Sequence, residues 1–344
     1  MKEKEKLQTI SLGDAVSAIE EWDSHNADYK SLTKDIQFAA NSTSNTISTD
    51  EIDMELDNNA FKQLSNHLQV PGHWSIDEVK CPPDLRETII NHRLQDPKAK
   101  WVTREWLIRT RRDHVRAMLS SYYTPFDHLE FIRTIDAVLA NMDLSQYAQV
   151  ARMEVNDRMR MWIVFPGQLP ETDGNGFKGY DGLGIGKTYA GIYLSNDETG
   201  RGSITVAPGT IRAACSNGLI FWKENLRFTR VHISIGTKLH EKVADNITRS
   251  LELAQANLND LVSLKNYVVK RPKSIIDNYA RSYRLPQDVR NYWYEWSTKV
   301  GENLTMWDLV NMATEISQQQ PTELAETMDQ MAGAMVMAYA NKEQ

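Results

Sequence analysis

Residues 151–165 read ARMEVNDRMRMWIVF, and their alternation decides the fold class. Arg152, Arg158, Arg160 and Trp162 share one parity, while Met153, Val155, Met159, Met161 and Ile163 share the other. Successive side chains of a strand point to opposite faces, so a period of two with one apolar set reads as a half-buried β-strand. Asn156-Asp157 supplies a turn in the middle, and the stretch reads as a hairpin. One face is apolar; the other carries guanidinium groups and an indole.

The signature recurs on both sides. From Arg112 to Tyr122, the residues Arg112, His114, Arg116, Ser120 and Tyr122 face one way and Val115, Ala117 and Leu119 the other. Leu107 to Thr110 pairs with this strand through a tight turn around Asp113. Further on, Phe228, Arg230, His232 and Ser234 alternate with Arg227, Thr229, Val231, Ile233 and Ile235. Thr188 to Ser195, Gly202 to Val206 and Gly218 to Trp222 are strands by composition, and Pro208 to Ala214 reads as a short helical turn.

Helical spacing brackets this region. Phe61, Leu64 and Leu68 share a face that ends at Pro71-Gly72, and Leu85, Ile89 and Ile90 follow Pro82-Pro83. Asp127 is placed to cap a helix carrying Leu129, Ile132, Ile135 and Leu139. Past residue 240 the spacing predicts helices over Val243–Lys265, Lys273–Tyr283, Pro286–Lys299, Leu304–Ser317 and Pro321–Ala340. The fold class is α+β, with an antiparallel sheet-rich central domain packed with helices and a helical C-terminal region. The expected division is an acidic, flexible N-terminal arm over 1–58, an α+β core domain over 59–240 and a helical region over 241–344. Leu12 to Trp22 is the one short helix expected in the arm, which otherwise carries the polar run Asn41 to Thr49 and five carboxylates between Asp50 and Asp57.

The whole chain has 344 residues and a formal net charge of −7, which alone argues against a nucleic-acid binder. Divided along the chain, residues 1–70 carry −7, residues 71–300 carry +6 and residues 301–344 carry −6. A basic middle lies between two acidic ends. Cys81 and Cys215 are too few for a disulfide framework or a cysteine-based zinc site. The start MKEKEKLQTI has no apolar segment behind its charges, and no apolar run approaches the ~18 residues of a membrane span, so a cytoplasmic protein without a membrane contact is expected.

Catalytic patterns are sparse. Asp181 to Thr188 (DGLGIGKT) looks like a phosphate loop, but Asp181 stands where the first glycine belongs and a strand follows where a helix N-terminus is needed. The eight histidines include no HxH or HExxH spacing; Asp127-His128 and His232 with His240 could meet in space, and a metal held by His128, His232 and nearby carboxylates is a third, enzymatic reading. No catalytic residue, metal or cofactor is assigned. The arginines are more informative. Guanidinium groups neutralise phosphates and flat rings stack on unpaired bases, so strands with Arg and aromatics on one face suit single-stranded nucleic acid. The alternative is a face whose arginines pair internally with Glu154, Asp157 or acidic helices. A second basic stretch, Lys270, Arg271, Lys273, Arg281, Arg284 and Arg290, runs into Tyr292-Trp293-Tyr294-Glu295-Trp296, whose rings cannot all be buried on one side of a helix.

The order of several strings resembles a phage/plasmid-related domain-of-unknown-function family found in prophages. They are Phe61 to Pro71, Asp84-Leu85-Arg86, Asn91 to Leu94, Leu107 to Thr110, Val115 to Tyr123, Gly191 to Asn196, Arg201 to Thr205, Ile211 to Leu219 and Arg230-Val231-His232, together spanning roughly residues 58–265. The resemblance implies a mobile-element setting and, by association, DNA recombination or replication. The expected function is therefore non-enzymatic: single-stranded DNA binding or annealing, with RNA as the alternative ligand, by a homo-oligomer in the host-cell cytoplasm. Its site would comprise Arg112, Arg116, Tyr122, Arg158, Arg160, Arg212, Arg230 and His232. A phage structural or host-interaction protein that assembles through residues 286–344 is the competing expectation.

Overall fold

The computed structural model describes residues 9–71, 81–165, 188–212, 217–220, 228–230, 232, 241–242, 244–250, 252 and 263–339. Its first sheet runs β1 (Ile10–Ser11), β8 (Gln149–Glu154), β9 (Arg158–Val164), β10 (Thr188–Asp197), β11 (Ile204–Arg212) and β12 (Asn217–Ile220), with β13 (Phe228–Arg230) also paired to β11. All these pairings are antiparallel. The hairpin at Asn156-Asp157 is present. Met159, Met161, Ile163, Ile192, Leu194, Ile204 and Val206 fill one face of the sheet and form a core with α1 (Leu12–Asp23) and α4 (His128–Asn141). That apolar set is the parity read from ARMEVNDRMRMWIVF.

The second sheet runs β2 (Asn26–Leu32), β6 (Glu105–Arg111), β7 (His114–Ser120), β5 (Asp53–Leu56), β4 (Asn45–Ser48) and β3 (Gln37–Ala40), with β5 and β7 parallel and the remaining pairs antiparallel. Its core, with α2 (Asn58–His67) and α3 (Pro83–Leu94), is built from Phe38, Ile47, Phe61, Leu64, Trp106, Ile108, Val115 and Met118. The C-terminal helices α5 (Pro272–Ser282), α6 (Gln287–Val300), α7 (Met306–Ser317) and α8 (Thr322–Tyr339) hold a separate core around Trp293, Leu309, Val310, Met328, Met331 and Met335. The methionines of the last helix are thus core residues. Among the described residues no helix is long and apolar enough to cross a membrane.

Three expectations are corrected. Residues 10–56 are not a flexible arm. Ser11 caps α1 through a capping box, and β2 to β5 supply four strands of the second sheet. Each of these strands buries few side chains: β2 buries none, while Phe38 and Ile47 carry β3 and β4 into the core. Main-chain pairing holds such strands together, and it leaves little apolar periodicity in the sequence. Pro208 to Arg212 continue β11 rather than turning as a helix, because they pair with Ile192 to Thr188 of β10. The parity of β7 also breaks. Arg109 faces Ala117 and Thr110 faces Val115, so Arg116 is the extra residue of a β-bulge. The bulge turns Val115 towards the α2–α3 core, while Ala117 and Leu119 pack with Leu107 on the other face. Of the helix expected over Val243–Lys265, residues 244–250 and 252 are helical; the string from Asp181 to Lys187 and Cys215 lie outside the described residues.

Candidate nucleic-acid interface

Ser195-Asn196-Asp197-Glu198-Thr199 closes β10 and leads away from it, and all five residues are buried. A run of buried polar groups needs partners, since an unpaired one costs about 1–3 kcal/mol and a charge more. The second sheet supplies those of Glu198. Arg109 donates from Nε to Asp28 (2.9 Å), from Nη1 to the Glu198 carbonyl (2.9 Å) and from Nη2 to Asp127 (2.5 Å). Arg116 donates to the Glu198 carboxylate at 2.5 Å, and the His128 amide donates to the same carboxylate at 2.7 Å. Burial by itself would raise the Glu198 carboxyl, but His128 and Arg116 overturn that and hold it below the ordinary range. Asp127 precedes α4 as foreseen, yet makes no side-chain cap; its carboxylate is spent on Arg109.

His128 has both ring nitrogens committed. Nε2 lies 2.8 Å from the Asn156 carbonyl, and Nδ1 lies 3.1 Å from the Asn196 amide nitrogen and 3.4 Å from the Glu198 carboxylate. His232 is 2% exposed and stacks on Tyr123 with the rings 5.0 Å apart. Burial lowers its pKa to about 4, so it sits neutral in the junction. The two histidines share no metal geometry. Among the described residues, the carboxylates of Asp23, Asp127 and Glu198 do approach one another, but Arg109 and Arg116 already neutralise the latter two. This junction locks the two sheets together.

The other face of the first sheet holds Arg152, Arg158 and Arg160. Cross-strand pairing sets Arg152, Trp162 and Tyr193 in one row, and Glu154, Arg160 and Ser195 in the next. The row parity agrees with the sequence, but the face is covered. Glu326 of α8 lies 3.0 Å from both Arg158 and Arg160, and Asp329, one turn on, lies 3.7 Å from Arg152. Burial pushes the Asp329 carboxyl up to about 7 against the pull of Ser317 and Arg152. The internal pairing weighed from the sequence is therefore what this face shows.

The expected site residues do not form one surface. Arg116 and Arg160 are buried and ion-paired, Arg158 is partly buried beside Glu326, and His232 is interior. Arg112 is exposed at the tip of the β6–β7 turn with φ 53°, and Tyr122, 77% exposed, lies beyond the end of β7. Arg230 is exposed on β13, and the backbone of Arg212 ends β11 opposite Asn217.

An open basic surface lies elsewhere, on the α5–α6 hairpin. Lys270, Arg271, Lys273, Arg281 and Arg284 are all exposed, and among the described residues none has a carboxylate within 4.0 Å. Lys273, Asp277 and Arg281 are four residues apart and share one stripe of α5. Asp277 is consumed from the far side by Arg290 and the Tyr294 hydroxyl of α6, so the stripe is left cationic. Lys273 lies 5.9 Å from the Tyr294 ring centroid, and Tyr292 is 50% exposed. Sequence spacing had placed these rings partly outside the core; Trp293 alone is fully buried.

A family described as Domain of unknown function (DUF932) matches residues 116–334, more than half of the chain. That span begins in β7 and takes in α5 to α7 with most of α8, so the Phe61 to Leu94 strings of the earlier resemblance fall outside it. No curated protein and no solved structure matches the chain significantly.

Proposed function

Because the chain belongs to the DUF932 family, whose description carries no activity, we propose a function from the geometry: non-catalytic, sequence-tolerant binding of single-stranded nucleic acid, with the α5–α6 hairpin as the contact surface. The observation that carries this reading is the set of five exposed cations without a described carboxylate partner, beside the half-exposed Tyr292. Phosphates are bound by such unpaired charge, and a neighbouring ring stacks on a base without selecting it. We further propose that this binding serves DNA recombination or replication within a host cytoplasm, by a homo-oligomer that aligns several hairpins along one strand; the sequence resemblance to phage- and plasmid-related proteins supports that setting. The acidic N-terminal and C-terminal segments limit binding to wrong polyanions.

The test is fluorescence anisotropy of a labelled oligonucleotide across a salt series. Five phosphate contacts predict a log–log slope of about −3 to −4, since each contributes about −0.7 on a single strand. R281E/R284E should weaken binding about tenfold or more at ~50 mM salt. Binding indifferent to salt, or unchanged by this reversal, would move the function away from this surface.

A further inference from the structure

The covered face of the first sheet is built like a second binding surface. Trp162 and Tyr193 lie side by side, with ring centroids 5.3 Å apart, between Arg152 on one neighbouring position and Arg160 on the next row. Arg158 extends the cationic line and donates to Ser195 at 3.2 Å. Three guanidinium groups around two rings exceed what an internal sheet face needs for packing, where apolar residues give more stability per side chain.

How this face is closed is unusual. Glu326 and Asp329 are three residues apart on α8, hence on one side of it, and between them they meet all three arginines. The fit leaves the Tyr193 hydroxyl fully buried and, among the described residues, without a hydrogen-bond partner. That hydroxyl lines a small cavity with Trp162, Arg152, Arg160, Glu326 and Asp329. Among the described residues, no buried apolar residue is shared between the core of α5–α8 and the core of the first sheet. Besides these arginine–carboxylate contacts, α7 and α8 lie against β12 at the edge of the sheet, so a displaced α8 must also leave that strand.

We propose that the Arg152–Arg158–Arg160 face, with Trp162 and Tyr193, is a second single-stranded nucleic-acid surface, and that Glu326 and Asp329 occupy its phosphate positions until a bound strand displaces α8. This rests on the nucleic-acid reading above and adds to it. The hairpin makes first contact, and its helices carry α8 away from the sheet as one packed unit. A strand then crosses from the hairpin to the sheet, where the orphaned Tyr193 hydroxyl gains a polar partner.

The experiment compares the full chain with its E326Q/D329N variant against fluorescein-labelled oligothymidylate. The variant should bind at least about tenfold more tightly, with a salt slope steeper by about 2, as expected for three further phosphate contacts. Adding R152A and R158A to that variant should remove most of that gain. If the wild type binds and E326Q/D329N matches it in affinity and slope, the sheet face is not a site, while the hairpin reading stands. If neither protein binds, the nucleic-acid reading itself fails. Should E326Q/D329N not fold, hydrogen exchange on the wild type decides. Saturating oligothymidylate should lower protection across Thr322–Tyr339, and unchanged protection there overturns the proposal.

Discussion

Arg158 and Arg160 on β9 and Arg281 and Arg284 at the end of α5 carry the same charge, yet Glu326 lies 3.0 Å from each of the first pair while no described carboxylate comes within 4.0 Å of the second. Burial explains the difference. A strand in the middle of a sheet is covered on both faces, so a cation there must meet an anion or the fold pays a heavy desolvation penalty. A helix on the outside of a bundle has one face in water, where a cation needs no partner at all. The first pair therefore reports how the molecule is held together. The second reports what it offers to others.

The comparison is broken most severely at the junction of the sheets. Glu198→Ala would leave Arg116 buried, 3% exposed, with only Asp157 at 3.7 Å to compensate it. The expected loss is roughly 3–5 kcal/mol of stability, read by urea or thermal unfolding. The double variant R116M/E198L removes both charges and should lose much less. Equal losses in the two proteins would mean that packing, not charge pairing, dominates the junction.

A smaller effect is expected at Asp329, and its sign depends on pH. Its carboxyl titrates near 7 in the folded chain and near 3.8 when exposed, so between these values the native state binds the extra proton. Stability then falls as pH rises through this window. The groups that act on the carboxyl are Ser317 and Arg152, which favour its charge, and Glu326, which opposes it. Asp329→Asn keeps an acceptor for the Ser317 hydroxyl and removes the titration. Wild-type stability should drop by roughly 2–3 kcal/mol from about pH 5 to about pH 8, and the variant should not follow it. Parallel pH profiles would show that Asp329 remains charged beneath α8.

The contrast between the two sets of arginines also marks what the sequence can reveal. The alternation in residues 151–165 displays the row parity of β8 and β9 because a strand's facing is a local property. Helices α5 to α8 were legible for the same reason, through their spacing and, for α5, α6 and α8, the prolines at their starts. The cover on the arginine face was not, since Glu326 and Asp329 stand about 170 positions from their partners, and three-residue spacing on a helix marks any solvated stripe equally well. The bulge at Arg116 was hidden too. One extra residue leaves composition unchanged while reversing the facing of everything beyond it. In β2 to β5 the apolar signal was carried by single residues such as Phe38 and Ile47, too few to establish a period.

Pairing alone does not distinguish the two regions, and a surface ion pair sharpens that point with the smallest expected effect. Arg133 donates to Glu20 at 2.7 Å, shorter than either contact of Glu326, but their side chains are 60% and 46% exposed. Water screens both charges, and ordering two long side chains offsets most of the attraction. Arg133→Ala should therefore change stability by less than ~1 kcal/mol, and the small change should vanish in high salt. A loss comparable to that of Glu198→Ala would mean that the short distance, and not the removal from water, sets the strength of these contacts. The unpaired cations of the hairpin would then lose their standing as a surface kept open for phosphate, because exposure would no longer separate a charge that holds the fold from one that is free to bind.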